Sequence, residues 1–261
     1  MKILVSNDDG IFALGIKVLS ESLAQTHEVY VVSPEHENSG IGCALTLYRP
    51  LRAKLMPLDF FKGVKQAWKI EGTPADSAKF GILELMKETP DMVISGINKG
   101  ANLGNDVFYS GTVSVAFEGT HYNIPSIAIS IVSRKRDFKQ VYYENAAEFV
   151  KKFIEIFNKK KFPLNTAFNI NVPAVPKSEI KGYRFTKLGV LKYKDCFEKR
   201  IDLRGGEYYW LSGDLEEIHN DADSDVVAIE ENYISITPLY FDLTHYSILD
   251  DLRKSVYIDR W

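Results

Sequence analysis

The sequence is poor in cysteine, carries no strong charge of either sign and has no long apolar run. Its two cysteines, Cys43 and Cys196, lie far apart, so neither a disulfide framework nor a cysteine-based zinc site is predicted. The formal net charge is −3, whereas binding of a nucleic-acid polymer requires clustered basic residues. No stretch approaches the roughly 20 apolar residues of a membrane span, and the run starting at Met1 is too short for a signal peptide. We therefore expect a cytoplasmic protein with no nucleic-acid or membrane partner.

Short apolar runs alternate with segments of helical periodicity through the first 180 of the 261 residues. Ile3–Ser6 and Glu28–Ser33 have the composition of buried strands, and Leu14, Val18 and Leu23 recur between them at helical spacing. This β-α-β order is typical of a parallel sheet with right-handed crossovers. Further strands are predicted at Ala67–Ile70, Asp91–Ile97, Pro125–Ile131 and Phe168–Val172, the last taken as the final strand of the sheet. Helices are predicted after Thr73 (with Phe80, Leu83 and Met86 on one face), over Thr112–Tyr122 and over Glu144–Lys160. We expect residues 1–180 to form a Rossmann-like three-layer α/β/α core around a mostly parallel sheet.

The pattern changes after Pro173. Residues 182–212 are rich in tyrosine and charge, and Arg204–Glu207 is a plausible hairpin turn. A short helix after Asp225, a strand at Tyr233–Pro238 and a terminal helix at Thr244–Ser255 are predicted to follow. Residues 181–261 thus form a C-terminal extension in this interpretation, with an antiparallel hairpin, a returning strand and a helix. Such an extension packs either on a partner subunit or on its own domain.

Two adjacent carboxylates, Asp8 and Asp9, follow the first predicted strand. Like charges this close repel each other, and each costs free energy if it loses water, so a nearby cation is the first candidate to offset the cost. Neighbouring residues of a straight strand point to opposite faces, but Gly10 permits a turn that lets both acids face one ion. A solvated turn is the simpler alternative for such a pair.

Three further polar, glycine-containing loops are predicted at the same edge of the sheet, where ligands of open α/β sheets bind. They are Glu37–Gly40, Ser95–Gly104 and Tyr109–Thr112. Their hydroxyl and amide oxygens, together with the carboxylates, are hard ligands suited to Mg²⁺ or Mn²⁺. Each loop alone could equally be an ordinary turn.

The third loop adds a second chemical element. Ser110, Gly111 and Thr112 stand at a predicted helix start, where unpaired N–H groups and the helix dipole favour an anion such as phosphate. A helix N-cap is the alternative role for Ser110 and Thr112. A metal beside a phosphate site indicates phosphate-ester chemistry.

The chain resembles the SurE family of stationary-phase survival proteins, which are metal-dependent 5'-nucleotidases. The matching segments occur in the family's order and cover most of the chain. They are ILVSNDDG (Ile3–Gly10), NSG (Asn38–Gly40), GTPADS (Gly72–Ser77), VISGINKGANLG (Val93–Gly104), YSGTVSVAFEG (Tyr109–Gly119), NINVP (Asn169–Pro173) and SDVVAIEENYISITPL (Ser224–Leu239). Small departures are Ser77, where cysteine is common, and Ser224, where threonine is common.

The resemblance implies a site of two parts. The implied ligands of one Mg²⁺ or Mn²⁺ ion per subunit are Asp8, Asp9, Ser39 and Asn98, and the implied phosphate-binding residues are Asn102, Ser110, Gly111 and Thr112. Asp8, Asp9 and Asn98 are the implied catalytic residues, with Asp8 facing the phosphorus as base or nucleophile.

The implied reaction is hydrolysis of nucleoside 5'-monophosphates to nucleoside and phosphate, with 3'-nucleotides and short polyphosphate as further substrates. A homodimer or homotetramer is expected as the assembly, and the C-terminal extension favours a dimer that exchanges it between subunits. Two alternatives stay open at this point. One is a non-catalytic nucleotide sensor, and the other is a phosphatase that forms an aspartyl-phosphate, although such enzymes carry an Asp-x-Asp motif and the acids here are adjacent.

Overall fold

The structure is a computed structural model that describes residues 1–57, 59–133, 137–160, 162–163, 165–216 and 218–255, without the side chains of 157–160 and 195. Its centre is a nine-stranded sheet in the order β3-β4-β2-β1-β5-β6-β7-β11-β8. The strands are β1 (Lys2–Ser6), β2 (Glu28–Pro34), β3 (Ala53–Leu55), β4 (Gln66–Ile70), β5 (Met92–Lys99), β6 (Ser126–Val132), β7 (Ala167–Pro173), β8 (Tyr183–Phe185) and β11 (Ile234–Leu239). Neighbours from β4 to β7 are parallel, while β3 and β11 run antiparallel to β4 and β7. The predicted mostly parallel α/β fold is confirmed.

Helices cover both faces of this sheet. They are α1 (Leu14–Leu23), α2 (Pro74–Phe80), α3 (Gly111–His121), α4 (Gln140–Lys160), α5 (Asp225–Glu230) and α6 (Tyr246–Ser255). Successive side chains of β1 point to opposite faces of the sheet and so belong to two different hydrophobic clusters. Ile3 and Val5 pack with α1 and α4, whereas Leu4 packs with α2 and α3. Among the described residues, no helix has the length and apolarity needed to cross a membrane.

Helix α2 starts as predicted and ends earlier than predicted. The Thr73 hydroxyl accepts a hydrogen bond from Asp76 N, and the Asp76 carboxylate accepts one from Thr73 N, which is a complete capping box. The α-helix stops at Phe80, and a π-helical turn follows over Gly81–Leu85. The predicted common face of Phe80, Leu83 and Met86 is therefore wrong, because the wider turn leaves Leu83 exposed.

The sheet does not end with β7, and that prediction is also wrong. Strand β11 adds antiparallel to β7, and β8 adds parallel to β11. The run Ile-Ser-Ile-Thr at the start of β11 is buried, as expected for a strand with a neighbour on each side. The two short strands β3 and β8 were not predicted, since three residues are too few for a periodic signal.

Strands β9 (Tyr193–Ile201) and β10 (Glu207–Leu215) form a separate antiparallel hairpin with its turn at the predicted place. Both β8 and β11 lie after residue 180 and belong to the main sheet. The domain boundary at residue 180 stays a prediction. Residues 256–261, at the end of the predicted C-terminal extension, lie outside the described ranges. The hairpin exposes many large apolar side chains, including Phe197, Ile201, Leu203, Tyr209, Trp210, Leu211 and Leu215.

Candidate active site

A cleft of about 1040 Å³ opens at the carboxyl edge of β1 and β5. Five of the eight predicted site residues line it: Asp8, Ser39, Asn98, Asn102 and Ser110. The opposite wall belongs to the hairpin and its approach, with Leu191, Lys192, Tyr193, Leu211, Ser212 and Gly213. The other three predicted residues adjoin lining residues: Thr112 and Gly111 contact Asp8, and Asp9 accepts a hydrogen bond from Lys99.

Asp8 is held by the N-terminus of α3. Its two carboxylate oxygens accept hydrogen bonds from Thr112 N at 3.0 Å and from the Thr112 hydroxyl at 2.5 Å. Only 4% of Asp8 is exposed, and this burial raises the pKa of its carboxyl group although the Thr112 bonds oppose the rise. Thr112 itself is fully buried, so it orients Asp8, a role that the sequence did not reveal.

Asp9 is held by a different element. Its carboxylate accepts a hydrogen bond from Lys99 N at 2.9 Å. Burial raises the pKa of Asp9 to about 6, and the negative charges of Asp8 and Glu37 act in the same direction. Two neighbouring carboxylates that both resist ionisation are typical of a position where a cation is expected to offset the charge.

The expected turn at Gly10 is present. Gly10 has a φ of +90°, which favours glycine. Asn7 Nδ2 donates to Gly10 O at 3.1 Å, and Asn38 N donates to Asp8 O at 2.8 Å, which brings the second loop against the first. The turn thus gathers Asp8, Asp9 and the loop of Ser39 at one place.

Ser39 and Asn98 supply neutral oxygen atoms beside the two acids. The hydroxyl of the exposed Ser39 donates to Glu37 Oε1 at 2.8 Å, which leaves the lone pairs of its own oxygen available. Asn98 Nδ2 donates to Gly100 O at 3.0 Å, so its amide is oriented. Asn98 follows an irregularity in the pairing of β5 with β6, between Ser95 and Asn98.

This donor set fits a hard divalent cation. In the described ranges no group of three or more His, Cys, Asp or Glu side chains could hold a metal. The candidate ligands are instead two carboxylates, a hydroxyl and an amide, which suit Mg²⁺ or Mn²⁺ better than zinc. Sequence reasoning did not single out Glu37, whose charge reaches both acids; its place in the Glu37–Gly40 loop was the available signal.

The predicted phosphate-binding residues Ser110 and Asn102 line the cleft, and Gly111 follows Ser110 at the start of α3. The Ser110 hydroxyl accepts a hydrogen bond from Val113 N at 3.0 Å and so caps α3. Among the described residues none accepts a hydrogen bond from Gly111 N. A Cβ atom on Gly111 would lie 2.7 Å from the Cβ of Asp8, so the close packing of α3 on Asp8 requires glycine here.

Asn102 is fixed by two asparagines of β7 that sequence reasoning assigned no role. Asn102 N donates to Asn171 Oδ1 at 3.0 Å, and Asn102 O accepts from Asn169 Nδ2 at 2.8 Å and Asn171 Nδ2 at 2.9 Å. Asn102 Nδ2 donates to Ser130 Oγ at 2.8 Å. Both β7 asparagines are fully buried, and polar residues two apart within a buried strand were the signal that could have revealed them.

The chain is similar to known proteins over most of its length. The family model described as Survival protein SurE matches residues 3–195. The 5'-nucleotidase SurE of Gloeobacter violaceus is 51% identical over 247 residues, which is 94% of this chain and 92% of that protein. The 5'-nucleotidase SurE of Alkaliphilus metalliredigens is 46% identical over 97% of this chain and 98% of its own length. The crystal structure of the Sure protein from Aquifex aeolicus is similar with a TM-score of 0.81 and 36% identity, covering 97% of this chain and 99% of that one.

Proposed function

This chain belongs to the SurE family, and on that premise we propose that it is a metal-dependent 5'-nucleotidase that hydrolyses nucleoside 5'-monophosphates to nucleoside and phosphate. It is thus a phosphoric monoester hydrolase. The observation that carries the proposal is the buried carboxylate of Asp8 and the partly buried carboxylate of Asp9, both with raised pKa values, beside the capped start of α3.

A single divalent ion, Mg²⁺ or Mn²⁺, would be held by Asp8, Asp9, Ser39 and Asn98. The burial of the two acids supports this, because an unpaired buried carboxylate is costly and a cation offsets that cost. When bound, such an ion supplies positive charge to the phosphoryl oxygens and makes a water molecule more acidic.

Asp8 is the residue that acts on the reacting phosphorus. It lines the cleft, and Thr112 holds its carboxylate in one orientation from behind. A carboxylate that faces the cleft can accept a proton from an attacking water molecule, and Asp8 has this position. Direct attack by Asp8, with a transient aspartyl-phosphate, is the alternative route to the same products.

The phosphate group is held at the start of α3. Gly111 N–H points from the positive end of the helix, and the Ser110 hydroxyl still has its proton to donate because its oxygen acts as the cap acceptor. The second proton of Asn102 Nδ2 is available beyond the bond to Ser130. These donors stabilise the charge that develops on the phosphoryl oxygens.

The assembly proposed is a homodimer or homotetramer that uses the C-terminal extension. An isolated two-stranded hairpin is marginally stable in water, and this one exposes Phe197, Trp210 and Leu211. Burial against a second copy would remove this apolar surface from water. A cytoplasmic location is proposed on separate grounds, since Cys43 and Cys196 are both free thiols.

The proposal is tested by phosphate release from AMP, GMP, 3'-AMP and short polyphosphate, each with Mg²⁺, with Mn²⁺ and with EDTA. We expect release from the 5'-monophosphates with metal and none with EDTA. The 3'-nucleotide and polyphosphate arms measure how far the specificity extends.

Three results separate the alternatives. Undiminished turnover in EDTA contradicts the metal dependence. Binding of AMP without phosphate release indicates the nucleotide sensor. Trapping of a beryllofluoride adduct on Asp8 favours the aspartyl-phosphate route over attack by water.

A further inference from the structure

Another buried carboxylate, Asp225, lies at the first turn of α5 and has no part in the reaction described above. It is fully buried, and both of its oxygens accept hydrogen bonds from backbone N–H groups. Oδ2 accepts from Gly104 N at 2.9 Å, while Oδ1 accepts from Gly189 N at 2.7 Å and from Val226 N at 2.8 Å. Burial raises the pKa of Asp225, and the three N–H groups oppose that rise.

The segments joined by Asp225 are two walls of the catalytic cleft. Gly104 begins the 3₁₀ turn Gly104–Tyr109, which follows Asn102. Gly189 begins the approach to the hairpin, whose residues Leu191 and Tyr193 line the opposite wall.

The backbones of the two walls touch directly at this point. A Cβ atom on Gly104 would lie 2.7 Å from Gly189 O. Two further hydrogen bonds extend this line of contacts between the walls, which we call the seam, towards the cleft. Leu191 N donates to Asn105 Oδ1 at 2.7 Å, and the Tyr193 hydroxyl donates to Asp106 Oδ2 at 2.5 Å.

The phosphate end has its own support. Asn102 is fixed by Asn169 and Asn171 of β7, through three hydrogen bonds that do not involve Asp225. The bond from Asp225 to Gly104 therefore has a different consequence: it sets where the hairpin wall stands relative to an already fixed phosphate end.

We propose that Asp225 is a positioning residue that fixes the hairpin wall of the cleft against the turn after Asn102, and thereby sets the affinity for the nucleoside part of the substrate. The inference rests on the proposed function for its substrate, but its structural part does not depend on catalysis. A phosphate seated near Ser110 leaves the rest of the substrate to extend along the cleft, whose remaining wall is the hairpin.

Asp225→Asn is a selective test, because an amide has one acceptor oxygen where the carboxylate has two. In the variant, the asparagine oxygen accepts the hydrogen bonds from Gly189 N and Val226 N, and the NH₂ group faces Gly104 N–H. Two donors cannot form a hydrogen bond with each other, so the bond to Gly104 is lost. The substitution thus breaks the link between the walls and keeps the start of α5. Ser126→Ala is the matched control, since it removes one buried hydrogen bond, to Ile124 O, at the opposite end of the sheet.

Two constants report on the two ends of the cleft: KM for AMP and the competitive inhibition constant of inorganic phosphate. For Asp225→Asn we expect KM to rise about tenfold and the phosphate constant to stay within about twofold, as a displaced wall predicts. Ser126→Ala should change neither. A parallel rise of both constants, no change in either, or the same split in Ser126→Ala would overturn the proposal.

Hydrogen exchange measures the link without catalysis. In Asp225→Asn, peptides over 103–106 and 188–193 should exchange faster, while the peptide over 167–173 should not. If the wild-type protein does not hydrolyse AMP, the proposed function fails, and exchange alone decides the structural claim: unchanged exchange at Gly104 refutes it. Should Asp225→Asn not fold, Asn105→Ala removes the next bond of the seam without touching a buried charge and should shift KM in the same direction; an unchanged KM counts against the proposal.

Discussion

The floor of the cleft and the hairpin β9–β10 are built in opposite ways by one chain. On the floor, charged and polar side chains are held by neighbouring elements: Asp8 by Thr112 of α3, Asp9 by Lys99 of β5 and Asn102 by β7. In the hairpin, apolar side chains such as Trp210 stand in solvent.

The two regions therefore depend on different interactions for their stability. The carboxylates of Asp8 and Asp9 accept hydrogen bonds from backbone N–H groups of α3 and β5 in the same chain, so the floor needs no partner to hold them. The hairpin has no core of its own within the described residues, so its stability depends on what covers it. Substitutions on the floor should therefore change chemistry, and those in the hairpin should change association.

The largest expected effect is that of Asp8→Asn, which we expect to lower kcat for AMP by about 10³-fold, since removal of a general base or nucleophile has this scale. The asparagine oxygen can still accept from Thr112 N, and a buried charge is lost, so the variant should stay folded. The measurement is phosphate release with Mn²⁺ beside a thermal melt.

Asp91→Asn is the matched control for that substitution. Asp91 accepts a hydrogen bond from Lys2 N at 2.7 Å at the start of β5, at the far edge of the sheet. Full activity of Asp91→Asn is expected. An Asp8→Asn enzyme within tenfold of wild type would remove Asp8 from the mechanism.

A pair of glycine substitutions sharpens the comparison further. In Gly111→Ala the new Cβ would meet Asp8 at 2.7 Å and Pro74 at 2.9 Å, and we expect about a 10²-fold loss of kcat/KM from the displaced carboxylate. In Gly205→Ala, at the hairpin turn, the new Cβ meets nothing within 4 Å. The φ of +82° at Gly205 costs roughly 1–2 kcal/mol, so we expect a lower melting temperature with unchanged activity.

Steady-state kinetics and thermal melts on both glycine variants give the answer. Equal losses of activity in Gly111→Ala and Gly205→Ala would break the distinction between the two regions.

The smallest effect is expected for Trp210→Ser in the hairpin. Loss of an aromatic anchor from an interface costs about 2 kcal/mol, or about 30-fold in Kd. Sedimentation over a range of concentrations should show weaker self-association with kcat retained. Leu83→Ser removes an exposed apolar side chain outside the hairpin and should leave association unchanged. A monomeric wild-type protein at all concentrations would contradict the proposed assembly.

Local signals in the sequence predicted most of the fold. The capping box at Thr73 and Asp76, the buried runs of β1, β2 and β5, and the hairpin turn near Gly205 each depend on residues close together in the chain. The π-helical turn after Phe80 did not follow from spacing, because tertiary contacts set where α2 widens. β7 was taken as the last strand because its sequence carries no sign of its later neighbour.

The candidate site was predictable by residue and less so by contact. The turn at Gly10 and the gathering of Asp8, Ser39 and Asn98 at one edge follow from the rule for parallel sheets. The bonds of Thr112 to Asp8 and of Asn171 to Asn102 join residues that are 104 and 69 positions apart. Such pairings depend on how helices and strands dock, and a single sequence does not record that.

The antiparallel pairing of β11 with β7 has a consequence for synthesis of the protein on the ribosome. The loops that carry Asp8, Asn98 and Ser110 have all been translated before β7 emerges, yet the edge of β7 stays unpaired until Ile234–Leu239 follows. A nascent or truncated chain that ends before β11 exposes the unpaired edge of a strand that is fully buried in the complete protein, and such an edge is a template for aggregation. Completion of the last strand therefore protects the newly made chain as well as closing the sheet.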